Sequence, residues 1–401
     1  MSEWSKGTGQ ARSARLVRTG SVASVRAREG PKLAAIVLAA GEGTRMRSTR
    51  PKPLHKLCGR PMVLWVLDAL AGLELSRVVV VVGHGATGLT KALAEASRSS
   101  LEIVEQPIQR GTGDAASVAL TAFNDDEGEL DDLIVLPGDT PLLRPATLVT
   151  LVKAHRAAAA AATLLTARLP DATGYGRVVR AKNGSIAAIV EESDANDEER
   201  AIDEVGTSIY AFRRSVLAPA LRRLSPDNAQ GEYYLTDVVA VLHDAGYPVG
   251  SVVAEDPMEA AGVNDRAQLA AAEAVLRSRL NERWMRLGVT MLDPSHTYLD
   301  STVELAEDVT IFPGTVLQGH TRVAAGAELG PNTHLIDCTV GARAQVRATT
   351  AEQVTIGEYS RVGPWLWLMP GTVVAPGSEI RPALEPGNPE GDVNSGTGLE
   401  T

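Results

Sequence analysis

From Leu33 to about residue 250, short runs of continuous apolar character alternate with stretches of helical spacing. Residues 33–38, 78–82 and 133–136 are apolar throughout, as strands covered on both faces are, and each run leads into a turn containing glycine. Residues 61–73 read as a helix with Pro61 in its first turn, and residues 235–245 as a helix closed by Gly246. Residues 266–286 form a third helical stretch that leads out of this region. Six consecutive alanines at 157–162 read as a helix packed close to its sheet, or as compositional bias. Strands alternating with crossover helices predict an α/β domain of the Rossmann-like kind with a mostly parallel sheet.

After Asp293 the period becomes six. Leu305, Ile311, Leu317, Val323, Leu329 and Leu335 are six apart, and a second run in a shifted register holds Ile356, Val362, Leu368, Val374 and Ile380. Three six-residue edges make one triangular coil of a parallel β-helix, each edge sending one aliphatic side chain inward. The count predicts roughly four coils over residues 303–382, with 347–353 as an irregular interruption. The division that results is a basic tail at 1–30, an α/β domain at 31–265, a helical linker at 266–292, a hexapeptide-repeat β-helix at 293–382 and an acidic tail at 383–401. Both tails read as disordered, and the first alternatively as the product of a start site placed too early.

Composition narrows the function. The net charge is −10, and because residues 1–30 hold six basic and two acidic side chains, the remainder is more acidic still. That argues against a nucleic-acid partner, as does an aromatic content of 4%. Cys58 and Cys338 are the only cysteines and lie in different predicted domains, which points to a reducing cytoplasm without a disulfide framework. No uncharged apolar run approaches the roughly 18 residues of a membrane span.

The turn after the first strand reads Leu38-Ala39-Ala40-Gly41-Glu42-Gly43-Thr44-Arg45-Met46, with Pro51-Lys52-Pro53 shortly after. A dinucleotide fingerprint fails because Met46 stands where Gly or Ala is needed, and a P-loop fails for lack of Gly-Lys-Ser/Thr. What remains is a glycine-rich loop at a strand's carboxyl end, whose amides can surround phosphates while Arg45 and Lys52 offset their charge. A tight turn with solvated basic residues is the alternative. Asp139, just past the strand at 133–136, can hold Mg2+ against phosphate oxygens, or it can cap the helix beginning at Pro145.

These residues resemble the bifunctional bacterial N-acetylglucosamine-1-phosphate uridylyltransferase / glucosamine-1-phosphate N-acetyltransferase family. The resemblance extends over about residues 33–375. It is carried by the loop at 38–46 with Pro51-Lys52, by Gln106 with Gly111-Thr112-Gly113, and by Gly138-Asp139-Thr140-Pro141-Leu142. Gly174-Tyr175-Gly176-Arg177, Ile189-Val190-Glu191-Glu192, the run from Asn228 to Asp237 and Gly262-Val263-Asn264 continue it in order and spacing. It implies a nucleotidyltransferase domain followed by a left-handed parallel β-helix. It also implies that Leu38, Ala39, Ala40, Gly41, Gln106, Gly111 and Thr112 cradle the nucleotide, with Gln106 reading the uracil edge. Arg45 and Lys52 match the residues that neutralise the triphosphate, Asp139 and Asn264 match the ligands of a catalytic Mg2+, and Gly176, Glu191 and Gly206 match sugar-site positions. The implied substrates are UTP and a hexosamine 1-phosphate, and the implied product is a cell-wall precursor, UDP-N-acetylglucosamine. The implied assembly is a homotrimer through the β-helix.

The chain departs from that family at several places. Gly206-Thr207-Ser208 stands where the family has Asn-Thr-Gly, Ser193 replaces a lysine, and Asp114 replaces the histidine of a Gly-Thr-Gly-His run. Met369 stands at an arginine of the acetyltransferase site, and the period stops after Ile380, so the acetyltransferase part reads as truncated and its activity as lost. Two rival readings stay open: transfer to a different sugar 1-phosphate, and a catalytically weak paralogue acting as a regulatory or structural subunit.

Overall fold

The computed structural model describes residues 32–95, 101–123 and 130–382; the two predicted tails lie outside them. The first of its two parts is built on a nine-stranded sheet. In chain order its elements begin with β1 (Lys32–Ala39), the hairpin strands β2 (Lys56–Leu57) and β3 (Arg60–Pro61), α1 (Met62–Ala69), β4 (Leu75–Gly83) and α2 (Thr87–Glu95). There follow β5 (Leu101–Gln106), α3 (Thr112–Leu120), β6 (Leu130–Pro137), α4 (Pro145–Ala157), β7 (Ala162–Arg168), β8 (Arg177–Arg180) and β9 (Ile186–Val190). The part closes with α5 (Asp197–Arg200), β10 (Glu204–Arg213), α6 (Arg214–Leu221), α7 (Asp237–Asp244) and β11 (Val249–Val253).

The main strand order is β11-β7-β10-β6-β1-β4-β5, with β8 pairing β10 and β9. β6, β1, β4 and β5 run parallel, and β10 runs antiparallel to both β6 and β7, so the sheet is mixed. Alternate residues of β1 feed opposite faces: Ala34 and Ile36 join one buried cluster, Ala35 and Val37 the other. This two-sided burial is why the central strands read as unbroken apolar runs.

The alanine run is not a continuous helix. α4 ends at Ala157, Ala159 turns at φ 45°, and Ala162 opens β7. Ala161 donates to Pro248 O at 2.9 Å and accepts from Arg213 N at 3.0 Å, so pairing with the sheet overrides alanine's helical preference. The helix expected at 61–73 is also shorter, since α1 gives way to a 3-10 turn at Leu70–Gly72.

α8 (Arg266–Arg286) is the spine between the two parts. Arg279 Nη1 donates to Leu142 O at 2.6 Å, while Asn281 Nδ2 donates to Pro294 O at 2.8 Å and Thr297 O at 3.0 Å. The hairpin of β2 and β3 also touches the second part, where Ser301 N donates to Cys58 O at 2.9 Å.

That second part is a three-sided parallel β-helix with six strands on one face and five on each of the others. One inward column runs Met291, Ile311, Leu329, Val346, Val362 and Ile380. A second runs Leu299, Leu317, Leu335, Ala351 and Leu368, and a third Leu305, Val323, Val340, Ile356 and Val374. The reading of a truncated repeat domain is therefore overturned: the hexapeptide-repeat domain is present, with five strands on its shortest faces. That removes one of the two grounds for reading its acetyltransferase activity as lost; the other, Met369 at the position of an arginine, is unaffected. The apparent interruption at 347–353 contains the strand Thr349–Glu352, with the buried Ala351 in the inward column. The six-residue count missed it because Leu335 pairs with Ala351 and Val340 with Ile356, steps of sixteen residues instead of eighteen.

Candidate active site

β6 and β1 are neighbours while β1 leads to β4 on its other side, so the carboxyl ends of β1 and β6 flank a point where strand order reverses. Gly138 N donates to Leu38 O at 2.8 Å, and a Cβ on Gly138 would stand 3.0 Å from Ala39 Cβ. The two strand ends are thus locked together, and Asp139 projects just beyond them. Its carbonyl accepts from Val263 N at 2.9 Å, which brings Asn264 alongside.

At that junction Lys52 Nζ donates to Asp139 Oδ2 and, at 2.8 Å, to Asn264 Oδ1. Arg45 Nη2 reaches the same Asn264 oxygen at 3.0 Å. Asn264 is held in turn by its own N–H, which donates to Gln268 Oε1 at 2.7 Å in the first turn of α8. Four predicted residues from four segments meet here. The hard oxygens of Asp139 and Asn264 converge on one cationic nitrogen, and that is the donor chemistry a divalent cation such as Mg2+ requires.

The residues expected to border a nucleotide form a second group. Ala39 and Ala40 are buried and Gly41 is exposed with open space where a Cβ would stand. Ala40 O accepts from Gln109 Nε2, a residue that sequence reasoning passed over because nothing in its spacing marks it. Gln106 ends β5 almost fully buried, its Nε2 donating to Asp114 Oδ2 at 2.8 Å and Gly111 O at 3.3 Å. Gly111 adopts φ 105°, and a Cβ there would meet Tyr233 O at 2.6 Å. The segment 232–235 docks so closely that Gly113 N donates to Tyr233 O at 2.7 Å and Leu235 N donates to Thr112 Oγ1 at 3.0 Å.

Gly176, Glu191 and Gly206 form the third group, around Ile189. Gly206 N donates to Gly176 O at 2.8 Å, and Cβ atoms on Gly176 and Gly206 would stand 2.7 and 3.2 Å from the Ile189 side chain. Burial pushes the Glu191 carboxyl above its ordinary range, while Thr236 Oγ1, donating at 3.0 Å, opposes the shift and Asp237 and Asp194 add to it. Burial and then Asp139 push the Tyr175 hydroxyl upward. Two histidines nearby are occupied by local contacts: His55 is buried against Arg266 at 3.2 Å, and the exposed His84 pairs with Glu105 at 2.6 Å.

Residues 35–237 match the MobA-like NTP transferase domain family. The chain is 45% identical over 357 residues to the bifunctional protein GlmU of Streptomyces avermitilis, covering 88% of this chain and 73% of the relative. It is 48% identical over 325 residues to the bifunctional protein GlmU of Thermobifida fusca, covering 81% and 67%. The chain belongs to the GlmU family. It is a nucleotidyltransferase of the GlmU type, one that transfers a nucleotide to a sugar 1-phosphate. The bifunctional protein GlmU of Streptomyces coelicolor is 46% identical over 357 residues, covering 88% of this chain and 73% of the relative.

Proposed function

We propose that the protein transfers UMP from UTP to N-acetylglucosamine 1-phosphate, yielding UDP-N-acetylglucosamine and pyrophosphate. The observation that carries this reading is the clasp of the Lys52 ammonium by Asp139 and Asn264 at the ends of β1 and β6. A sugar 1-phosphate oxygen is already an anionic nucleophile near neutral pH, so no general base is needed. It attacks the α-phosphorus, and the bond to the β-phosphate oxygen breaks with its electron pair leaving on pyrophosphate. Asp139 and Asn264 would hold Mg2+, which supplies charge neutralisation to the phosphate oxygens. Lys52 and Arg45 face the same oxygens and bring positive charge to the triphosphate as it enters. The loop from Leu38 to Gly41 and the Gly111-Thr112 turn border the nucleotide, with Gln106 against the base. Gly176, Glu191 and Gly206 border the sugar, where the Glu191 carboxylate accepts from hydroxyls.

Pyrophosphate release from purified protein with UTP, Mg2+ and a panel of sugar 1-phosphates tests the reading. Release that depends on N-acetylglucosamine 1-phosphate and exceeds that with other hexose, amino-sugar and deoxy-sugar phosphates is expected. A stronger response to another sugar would replace the acceptor, and none with any sugar would favour the paralogue reading.

A homotrimer through the β-helix belongs to the same proposal. Trp365, Trp367 and Met369 are 72%, 75% and 64% exposed along its last complete coil, more apolar surface than an isolated coil needs. Light scattering after size exclusion, expected at three times the chain mass, checks it. A cytoplasmic site of action fits two buried free thiols, and no helix among the described residues is long and apolar enough to cross a membrane.

A further inference from the structure

Gln106 is the last residue of β5 and its side chain is almost entirely enclosed. An amide so placed can present either its carbonyl oxygen or its NH2 to a bound base, and these select opposite hydrogen-bonding edges. What decides between them is the neighbour. Asp114 Oδ2 lies 2.8 Å from Gln106 Nε2, and Gly111 O lies 3.3 Å from the same nitrogen. A carboxylate and a carbonyl only accept, so both N–H bonds of the amide are committed to the protein. A flip would set oxygen against oxygen on both contacts.

Asp114 is itself fixed. Its other oxygen accepts from Arg110 Nη2 at 2.7 Å, and the Arg110 guanidinium lies 6.0 Å from the centre of the Tyr233 ring. It sits in the first turn of α3, where the helix start favours negative charge, and its side chain is only 10% exposed.

We infer that Asp114 is a positioning residue for base selection: it locks the Gln106 amide so that only the carbonyl oxygen faces the nucleotide, and the site therefore takes a pyrimidine whose ring nitrogen N3 carries a hydrogen. This rests on the proposal that UTP is the donor and that Gln106 faces its base. Uracil donates from N3–H to that oxygen. Cytosine presents a bare N3 lone pair there, and the amide cannot turn to answer it without setting its oxygen against Asp114.

The test is equilibrium titration of UTP and of CTP, with Mg2+, into the full-length protein and into Asp114→Asn, Asp114→Ala and Asp114→Glu, each verified as folded by circular dichroism and melting temperature. Wild type is expected to bind UTP at least tenfold more tightly than CTP. In Asp114→Asn and Asp114→Ala the amide is free to turn, and the UTP/CTP ratio is expected to fall about tenfold, with CTP binding gained as UTP binding is lost. Asp114→Glu keeps an acceptor-only neighbour and is expected to retain most of the preference. Equal weakening of both nucleotides in Asp114→Asn or Asp114→Ala would overturn the inference, reducing Asp114 to support for the helix start. Wild-type preference for CTP would overturn both this inference and the choice of UTP. A kept binding preference without turnover would count against the proposed reaction alone.

Discussion

Lys52 and Asn264 are separated by 212 positions in the chain, yet the lysine ammonium donates to the asparagine carbonyl oxygen at 2.8 Å. The same ammonium holds Asp139, so side-chain oxygens from two distant segments meet on one cationic side chain.

Asp139→Ala and Asn264→Ala are each expected to lower kcat for pyrophosphate release at least a hundredfold at saturating Mg2+, because each removes charge stabilisation from a phosphoryl-type transfer. Lys52→Ala is expected to act on kcat in the same direction. A chelator is expected to abolish turnover while moving the melting temperature by no more than a degree or so, since Lys52 already bridges the oxygens. Near-normal rates in either alanine variant would remove the metal assignment.

Glu191 yields a pH signature. Its carboxyl titrates above the ordinary value of 4.5 because of burial, so the folded protein binds that proton more tightly than the unfolded chain does. The stability it contributes is fully present below pH 4.5 and is lost as the pH rises through the folded value. Glu191→Gln keeps an acceptor for Thr236 and removes the charge. It is expected to melt higher than wild type at pH 7, with a flatter dependence of melting temperature on pH above 4.5, and to raise KM for the sugar phosphate at least tenfold.

The two glycines beside Ile189 separate in their tolerance. Gly176→Ala would put Cβ 2.7 Å from Ile189 Cγ2 and 3.3 Å from Glu191 Oε2, so it is expected to destabilise by about 1–3 kcal/mol and to displace the carboxylate. Gly206→Ala meets Ile189 at 3.2 Å, a smaller conflict with the end of one side chain, and is expected to cost about 1 kcal/mol or less. Denaturant melts of the two variants, compared with their KM values for the sugar phosphate, check the order.

Cys58 and Cys338 are buried, and burial pushes both thiols above the ordinary range, with Glu273 adding to the shift at Cys58. Neither is expected to react with a thiol reagent at pH 8 in the folded protein, and both are expected to react after denaturation. Glu273→Ala leaves the Cys58 N–H, now bonded to Glu273 Oε2 at 2.7 Å, without its partner. The expected loss is about 1–3 kcal/mol, read in a denaturant melt.

Sequence alone determined what depends on short repeats and contiguous motifs. Continuous apolar strands announced a sheet covered on both faces, and inward residues every six positions announced the β-helix, because in each case one local period fixes which side chains face the core. The order of the glycine loop, Gly111-Thr112, Asp139 and Asn264 marked where chemistry would be sought. Tertiary structure decided the rest. Coils of sixteen residues carry the β-helix through Thr349–Glu352, where a small Ala351 faces inward and the six-residue count saw a break. The alanine run bends at Ala159 because the sheet claims its end. The orientation of the Gln106 amide is set by Asp114 across the turn into α3, and the meeting of Lys52 with Asn264 by the bonds that tie Val263 to Asp139 and Asn264 to the first turn of α8. Those last relationships are contacts between side chains brought together by folding, and no local period encodes them, whether the partners lie 8 positions apart, as Gln106 and Asp114 do, or 212, as Lys52 and Asn264 do.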